Sequence, residues 1–196
     1  SKISRVMKRS IDILGSAGGL LALLPLLAVI AFLIKVDSLG PVIYRQDRVG
    51  LYGRPFEILK FRSMKQGAEQ SGPQWAQAED PRSTRVGKWL RKFRLDEIPQ
   101  MLNVLRGEMS LVGPRPERPM FVHDLRRLIP YYDLRHTVRP GITGWAQVKF
   151  RYGASKEDAH MKLQYDLYYV KRFSVALDLG ILVRTIRVMF VGEGAH

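Results

Sequence analysis

Residues 17–34 read AGGLLALLPLLAVIAFLI, eighteen positions without a charge. No other stretch limits so strongly what this chain can become. As a straight helix the run reaches about 27 Å, barely one hydrocarbon core. A cleavable signal is a poor fit, because Lys35 follows at once with no small-residue cleavage site. Pro25, in mid-run, removes a backbone donor and bends a helix. Basic residues stand on both flanks: Lys2, Arg5, Lys8 and Arg9 before, Lys35, Arg45 and Arg48 after. A spanning helix concentrates Lys and Arg on its cytoplasmic side, so charge at both ends favours a re-entrant segment that enters and leaves by one face. A single span and a buried core helix are the other two arrangements. The reading is a membrane-associated region over 1–36, followed by one structural unit over 37–196. A chain that begins at Ser1 rather than Met is also expected to have lost an upstream region.

The balance of 32 Lys and Arg against 18 Asp and Glu, a net +14, requires polyanionic company: nucleic acid, anionic lipid or a phosphorylated substrate. With no cysteine, disulfides and thiolate metal sites are excluded. The fold class read from the pattern is α+β, mostly helical. Glycines at 40, 50 and 53 punctuate two β-rich runs, 42–45 and 56–61, as a small antiparallel hairpin. A polar surface loop is expected over 65–83. Helices are expected over 85–92, over 96–105 with a stop at Gly107, and over 119–128. The stretch 109–119 is too proline-rich for regular structure, and 138–148 is turn-rich. Residues 156–191 alternate apolar and basic positions at helical spacing, with Leu177, Ile181 and Val188 on an apolar side and Arg184 and Arg187 placed to meet head groups.

One short stretch concentrates chemistry. In LRKFRLDEIPQ, residues 90–100, Arg91, Lys92 and Arg94 precede the adjacent acids Asp96 and Glu97, and Pro99 follows. Proline is tolerated only in a first helical turn, so a helix is expected to begin near Asp96. One reading makes Asp96 an ordinary N-cap and Glu97 a first-turn acid. The other gathers phosphate: a helix N-terminus presents backbone N–H groups, and Arg91, Arg94 and Arg115, the last in a GPRP loop, could surround it. An ionised carboxylate among such donors can attack phosphorus, with magnesium offsetting the repulsion between anions.

The segments KFRSM at 60–64, DPRSTRVGKWLRKFRLDEIPQMLNVLRGEMSLVGPRP at 80–116 and RPGITGWAQV at 139–148 resemble the bacterial sugar transferases. These are monotopic phosphoglycosyl transferases that start membrane-bound glycan assembly on polyprenyl phosphate. The likeness runs in order from KRSID at 8–12 to DLYYVKRFSVALDLGILVRT at 166–185, nearly the whole chain. It implies helices around a short hairpin, a re-entrant membrane helix bent at Pro25, and interfacial amphipathic helices on the cytoplasmic face of the bacterial inner membrane. It also implies a UDP-sugar as donor, polyprenyl phosphate as acceptor, UMP as product and magnesium as cofactor. Asp96 matches the nucleophile that carries the phosphosugar, and Glu97 the second acid; both are candidate magnesium ligands. Arg91, Arg115 and Arg151 match cations that hold phosphate or nucleotide. Lys60 and Arg62 belong to the KFRSM motif and Gln147 to WAQV, and all three are taken as substrate-binding. Two departures stand out: Leu24-Pro25 replaces the family's Ser-Pro, and Lys149-Phe150-Arg151 replaces the Asn-Gly-Arg that often follows WAQV.

Partners expected beyond the substrates are anionic membrane lipid and a second copy in a homodimer, with no nucleic acid. A non-catalytic basic membrane-surface module accounts for the charge and the anchor, but not for the acid pair and the proline-rich Arg loop. A soluble nucleotide-sugar glycosyltransferase calls for repeated βα units and a glycine-rich phosphate turn, which the chain lacks. His123, His136 and His160 show no metal-ligand spacing, and Trp145 with Tyr165, Tyr168 and Tyr169 reads as packing. Asp12, just ahead of the apolar run, is expected to pair with a cation at the interface.

Overall fold

The computed structural model describes residues 2–68, 80–150 and 156–191. The apolar run is divided between α1 (Lys2–Ala22) and α2 (Leu24–Asp37), which meet at an angle of 64°. Pro25 lies in the first turn of α2, where its missing N–H interrupts least. Backbone bonds continue on either side, from Leu23 N–H to the Gly19 carbonyl at 3.0 Å and from Leu27 N–H to Leu23 at 2.9 Å. The Leu24-Pro25 pair therefore gives a sharp bend without a serine hydroxyl. Neither helix alone is long and apolar enough to cross a membrane; the bent pair together has the length and composition.

The start of α1 is built into the body of the protein. Asp12 and Ser16 are buried, and Gly15 and Gly19 bring the helix close to Leu111 and Met101. The expected cation beside Asp12 is not what it meets. Its carboxylate accepts from the Ser110 hydroxyl at 3.0 Å and the Leu111 N–H at 2.9 Å, because the helix face that carries it packs on backbone rather than facing head groups. Arg9 donates to the carbonyls of Val104 and Leu105 at the end of a neighbouring helix, a favourable place for a cation. The opposite face leaves Ile3, Val6 and Leu14 exposed, and α2 leaves Leu24, Val29, Phe32 and Val36 exposed.

The hairpin is longer than the sequence suggests. β1 (Ile43–Val49) pairs antiparallel with β2 (Pro55–Phe61), in register from Ile43 opposite Phe61 to Val49 opposite Pro55. Helices α3 (Arg85–Lys92) and α5 (Pro119–Leu128) lie where expected, and α4 (Gln100–Arg106) stops at Gly107, which takes a positive φ of 85°. Of the expected loop, 69–79 lies outside the described residues, and its flanks are joined by a bridge between Met64 and Ser83.

The proline-rich stretch 109–119 and the turn-rich stretch 138–148 each contain a short strand. β3 (Ser110–Val112) pairs in parallel with β4 (Gly141–Thr143). The reason is close backbone approach: a Cβ at Gly141 would lie 2.0 Å from the Gly113 nitrogen, so only glycines admit the pairing. After β4 come α6 (Trp145–Lys149), α7 (Lys156–Arg172) and α8 (Val175–Val191). Ile181 of α8 is buried with Val112 and Tyr169, while Leu179, Val183 and Ile186 are exposed.

A second glycine contact fixes α3. A Cβ at Gly87 would lie 1.9 Å from the Ser63 carbonyl oxygen, so α3 rests directly on the KFRSM backbone. Gly87→Ala is expected to force the two apart and destabilise the fold by about 1–3 kcal/mol. Thermal unfolding in detergent checks this; an unchanged midpoint would show that the contact is not tight.

Candidate active site

The acid pair is positioned by a backbone reversal. Thr84 caps α3, its hydroxyl accepting from Gly87 N–H at 2.9 Å, and the helix ends at Phe93. Arg94 then adopts the left-handed region, φ 54°, a conformation that strains a residue with a Cβ. The following 3₁₀ turn is Leu95–Glu97. Pro99 has no N–H to offer the Leu95 carbonyl, and Ile98 N–H takes that carbonyl instead at 3.3 Å. Thus the helix expected over 96–105 is divided, with α4 starting only at Gln100. Asp96 sits inside the turn rather than at an N-cap, because Arg94 has already reversed the chain.

Both carboxylates are largely buried, Asp96 8% and Glu97 7% exposed, yet their surroundings differ. Glu97 Oε1 accepts from Lys60 Nζ at 2.9 Å and from Arg115 Nη2 at 2.7 Å. Burial opposes its ionisation most, but Arg115 and Lys60 outweigh burial and hold it well below the ordinary carboxylate range. The Asp96 carboxylate accepts no hydrogen bond among the described residues. Burial pushes it up to about 6, against the pull of Lys60; the Glu97 charge adds to the rise, and Arg115 and Arg91 oppose it. The turn therefore holds one acid kept in its ionised form by two cations, beside a poorly solvated acid that still ionises near neutral pH.

The remaining candidates are placed unevenly. Lys60, on β2, and Arg115, in the GPRP loop, meet at Glu97. Arg91 lies on the last turn of α3, its guanidinium donating to the Ser83 hydroxyl at 3.0 Å with the Asp80 carboxylate at 3.9 Å. Arg62 is not brought to the pair. β2 ends at Phe61, so Arg62 lies just past the strand that carries Lys60, and its Nη2 instead donates to the Ile34 and Ser38 carbonyls and the Ser38 hydroxyl, closing the end of α2. Gln147, on α6, donates to the Ile142 carbonyl at 3.2 Å, and its buried Oε1 has no partner among the described residues. Arg151 lies outside the described residues.

Sequence reasoning missed Asn103. Fully buried, it accepts from Leu59 N–H at 3.0 Å and donates to the Glu57 carbonyl and the Glu108 carboxylate, both at 2.7 Å. These bonds lock β2 to α4 and so set Lys60 opposite Glu97. Two of its three partners are backbone groups of β2, so no local sequence signal marks it.

The bacterial sugar transferase family matches residues 3–192. A UDP-N-acetylgalactosamine-undecaprenyl-phosphate N-acetylgalactosaminephosphotransferase from Aeromonas hydrophila is 51% identical over 196 residues, covering 100% of this chain and 46% of that protein. A UDP-glucose:undecaprenyl-phosphate glucose-1-phosphate transferase from Escherichia coli (strain K12) is 42% identical, covering 100% of this chain and 43% of that protein. The exopolysaccharide production protein PSS of Rhizobium leguminosarum bv. phaseoli is 42% identical over 92% of this chain and 94% of its own length. The chain thus spans less than half the length of the first two relatives. It belongs to the bacterial sugar transferase family.

Proposed function

We propose that this chain transfers a sugar-1-phosphate from a UDP-sugar to polyprenyl phosphate, through a covalent intermediate on Asp96. The observation that carries the reading is the asymmetry of the acid pair. A nucleophile is best kept buried, free of hydrogen bonds and ionisable; Asp96 is buried, accepts no hydrogen bond among the described residues and is raised to about 6. A carboxylate meant only to stabilise the turn would be hydrogen-bonded, as Glu97 is.

In the first step an Asp96 Oδ attacks the β-phosphorus of the UDP-sugar. The bond from that phosphorus to the bridging oxygen breaks, and UMP leaves with the electron pair. In the second step a phosphate oxygen of the polyprenyl phosphate attacks the same phosphorus, and the Asp96 carboxylate is released. Lys60 and Arg115 neutralise Glu97, so an anionic diphosphate can approach the turn without meeting two uncompensated charges. Arg91, whose charge is felt at Asp96, would hold phosphate on the α3 side.

The donor set fits magnesium held jointly with substrate. That ion takes one or two carboxylates together with phosphate oxygens and water. Asp96 offers carboxylate oxygens with no hydrogen bond to give up among the described residues, and Glu97 stands beside it. Bound there, magnesium would neutralise charge on the diphosphate.

The bent α1–α2 pair, with Leu24, Val29, Phe32 and Val36 exposed, supports a segment that dips into the cytoplasmic leaflet of the bacterial inner membrane. The net charge of +14 suits anionic head groups. A non-catalytic surface module would use the same anchor, but it gives no role to a buried carboxylate raised to about 6 beside an ion-paired one.

Protein mixed with a UDP-sugar and magnesium, without acceptor, is expected to gain the mass of a phosphosugar on the peptide containing Asp96. Acid quenching preserves an acyl phosphate, and added polyprenyl phosphate should discharge it. Release of UMP only when acceptor is present, with no adduct at any time, would favour direct transfer and remove the covalent step.

A further inference from the structure

Arg115 matters to the proposed chemistry because its guanidinium meets Glu97, yet it stands on a loop, GPRP at 113–116, with no helix or sheet of its own. The carbonyls of that loop are held in an unusual way. Pro114 accepts from Gly141 N–H at 2.9 Å, Arg115 from Arg135 Nη2 at 2.8 Å, Pro116 from Arg48 Nη1 at 3.0 Å, and Glu117 from Val49 N–H at 2.9 Å. Four consecutive carbonyls thus have donors from three distant parts of the chain, and two of those donors are arginine side chains.

Neither arginine is an ordinary surface cation. Arg135 is 6% exposed at its side chain, with Nη2 and Nε both on Oδ2 of the buried Asp166 of α7 at 2.8 and 3.0 Å, and Nη1 donating to the Tyr132 hydroxyl at 2.6 Å. Arg48 reaches the Gln46 carboxamide at 2.5 Å and lies 3.8 Å from the Glu117 carboxylate. Its Nε is buried with no partner among the described residues. Burial, the largest influence on Arg48, pushes it down to about 10, so it remains charged at neutral pH. Guanidinium groups buried at that expense make sense if they fix something that must not drift, and what both touch is the backbone on which Arg115 stands.

We propose that Arg48 and Arg135 are positioning residues: by holding the carbonyls of Pro116 and Arg115, they set the Arg115 side chain against Glu97 in the geometry that receives the donor diphosphate. The inference rests on the proposed function for the identity of that ligand. A displacement of about 1 Å at such a group can lower turnover on the order of a hundredfold. Because Arg48 and Arg135 act through Arg115, their effects should vanish where Arg115 has no side chain to place.

The test is a double-mutant cycle with Arg48→Gln and Arg115→Ala, read in UMP release and in binding of UDP by calorimetry, with thermal stability measured alongside. Arg48→Gln alone is expected to lower UMP release about a hundredfold and weaken UDP binding. In the Arg115→Ala background it should change both by less than about twofold, while its cost in thermal stability stays the same in both backgrounds. Arg135→Lys, which keeps the charge beside Asp166 but loses the fork, should behave like Arg48→Gln, and Arg48→Lys should recover part of the loss. Additive losses in the two backgrounds would mean that Arg48 only supports the fold, and would overturn the proposal. Failure of the functional reading looks different: Asp96→Asn would keep releasing UMP while the cycle stayed non-additive. A parent protein that neither binds UDP nor releases UMP overturns both.

Discussion

Asp96→Asn is expected to lower UMP release from a UDP-sugar by at least about a thousandfold and to leave the fold intact. The carboxamide has nearly the shape of the carboxylate but cannot form the bond to phosphorus. Stability should not suffer, since the Asp96 carboxylate accepts no hydrogen bond among the described residues and the substitution leaves no partner stranded. The sign goes the other way. Burial raises Asp96 to about 6, above its unfolded value, so the folded protein carries the ionised form reluctantly at pH 7. Asn relieves that penalty, and the variant should melt at the same temperature as the parent or higher. The difference should be greatest above pH 6 and disappear below about pH 4, where the parent carboxyl is protonated in both states. Near-parental turnover would remove Asp96 as the nucleophile. A large fall in melting temperature would instead show that its carboxylate holds the turn together.

How much of this could be read from the chain depends on how far apart the cooperating residues lie. The turn around Asp96 was legible only in part: Pro99 marked a helix start nearby, but the helix expected over 96–105 begins at Gln100, because Arg94 has already reversed the chain. Helices α3 and α5 were legible to the residue, α3 from its apolar spacing after Thr84 and α5 from Pro119 in its first turn. The β3–β4 pair was not, since local propensity in 109–119 argues against strand and the pairing depends on glycines some thirty positions apart. Motif membership was an uneven guide to the site. Lys60 and Arg62 are two positions apart in KFRSM, yet one meets Glu97 and the other closes the end of α2. Arg48, Arg135 and Asn103 escaped notice for a shared reason. Each acts on backbone groups of another element, and a bond to a carbonyl or N–H leaves no trace in which side chain stands at the receiving position.

The acid limb of the pH profile offers the sharpest check on the electrostatics of the pair. For the parent, kcat/KM for the UDP-sugar is expected to fall below about pH 6, tenfold for each unit, because Asp96 must be ionised to attack and its carboxyl is raised to about 6. Four charges face that group: Lys60 from β2, Arg115 from the GPRP loop, Arg91 from α3 and Glu97 from the same turn. Lys60 is the strongest of those that favour ionisation, so Lys60→Met should carry the limb upward, toward neutral pH, and depress activity at pH 7. Glu97 disfavours ionisation, and its removal also releases Lys60 and Arg115 from their shared partner. Glu97→Gln should therefore move the limb downward, even though its maximal rate falls through the loss of an acid beside the phosphate. Opposite displacements from two residues that are themselves ion-paired cannot come from general loosening of the site, which would move both the same way. If both variants shift the limb in one direction, the titrating group is not Asp96, and the acid that receives the phosphosugar has to be sought elsewhere.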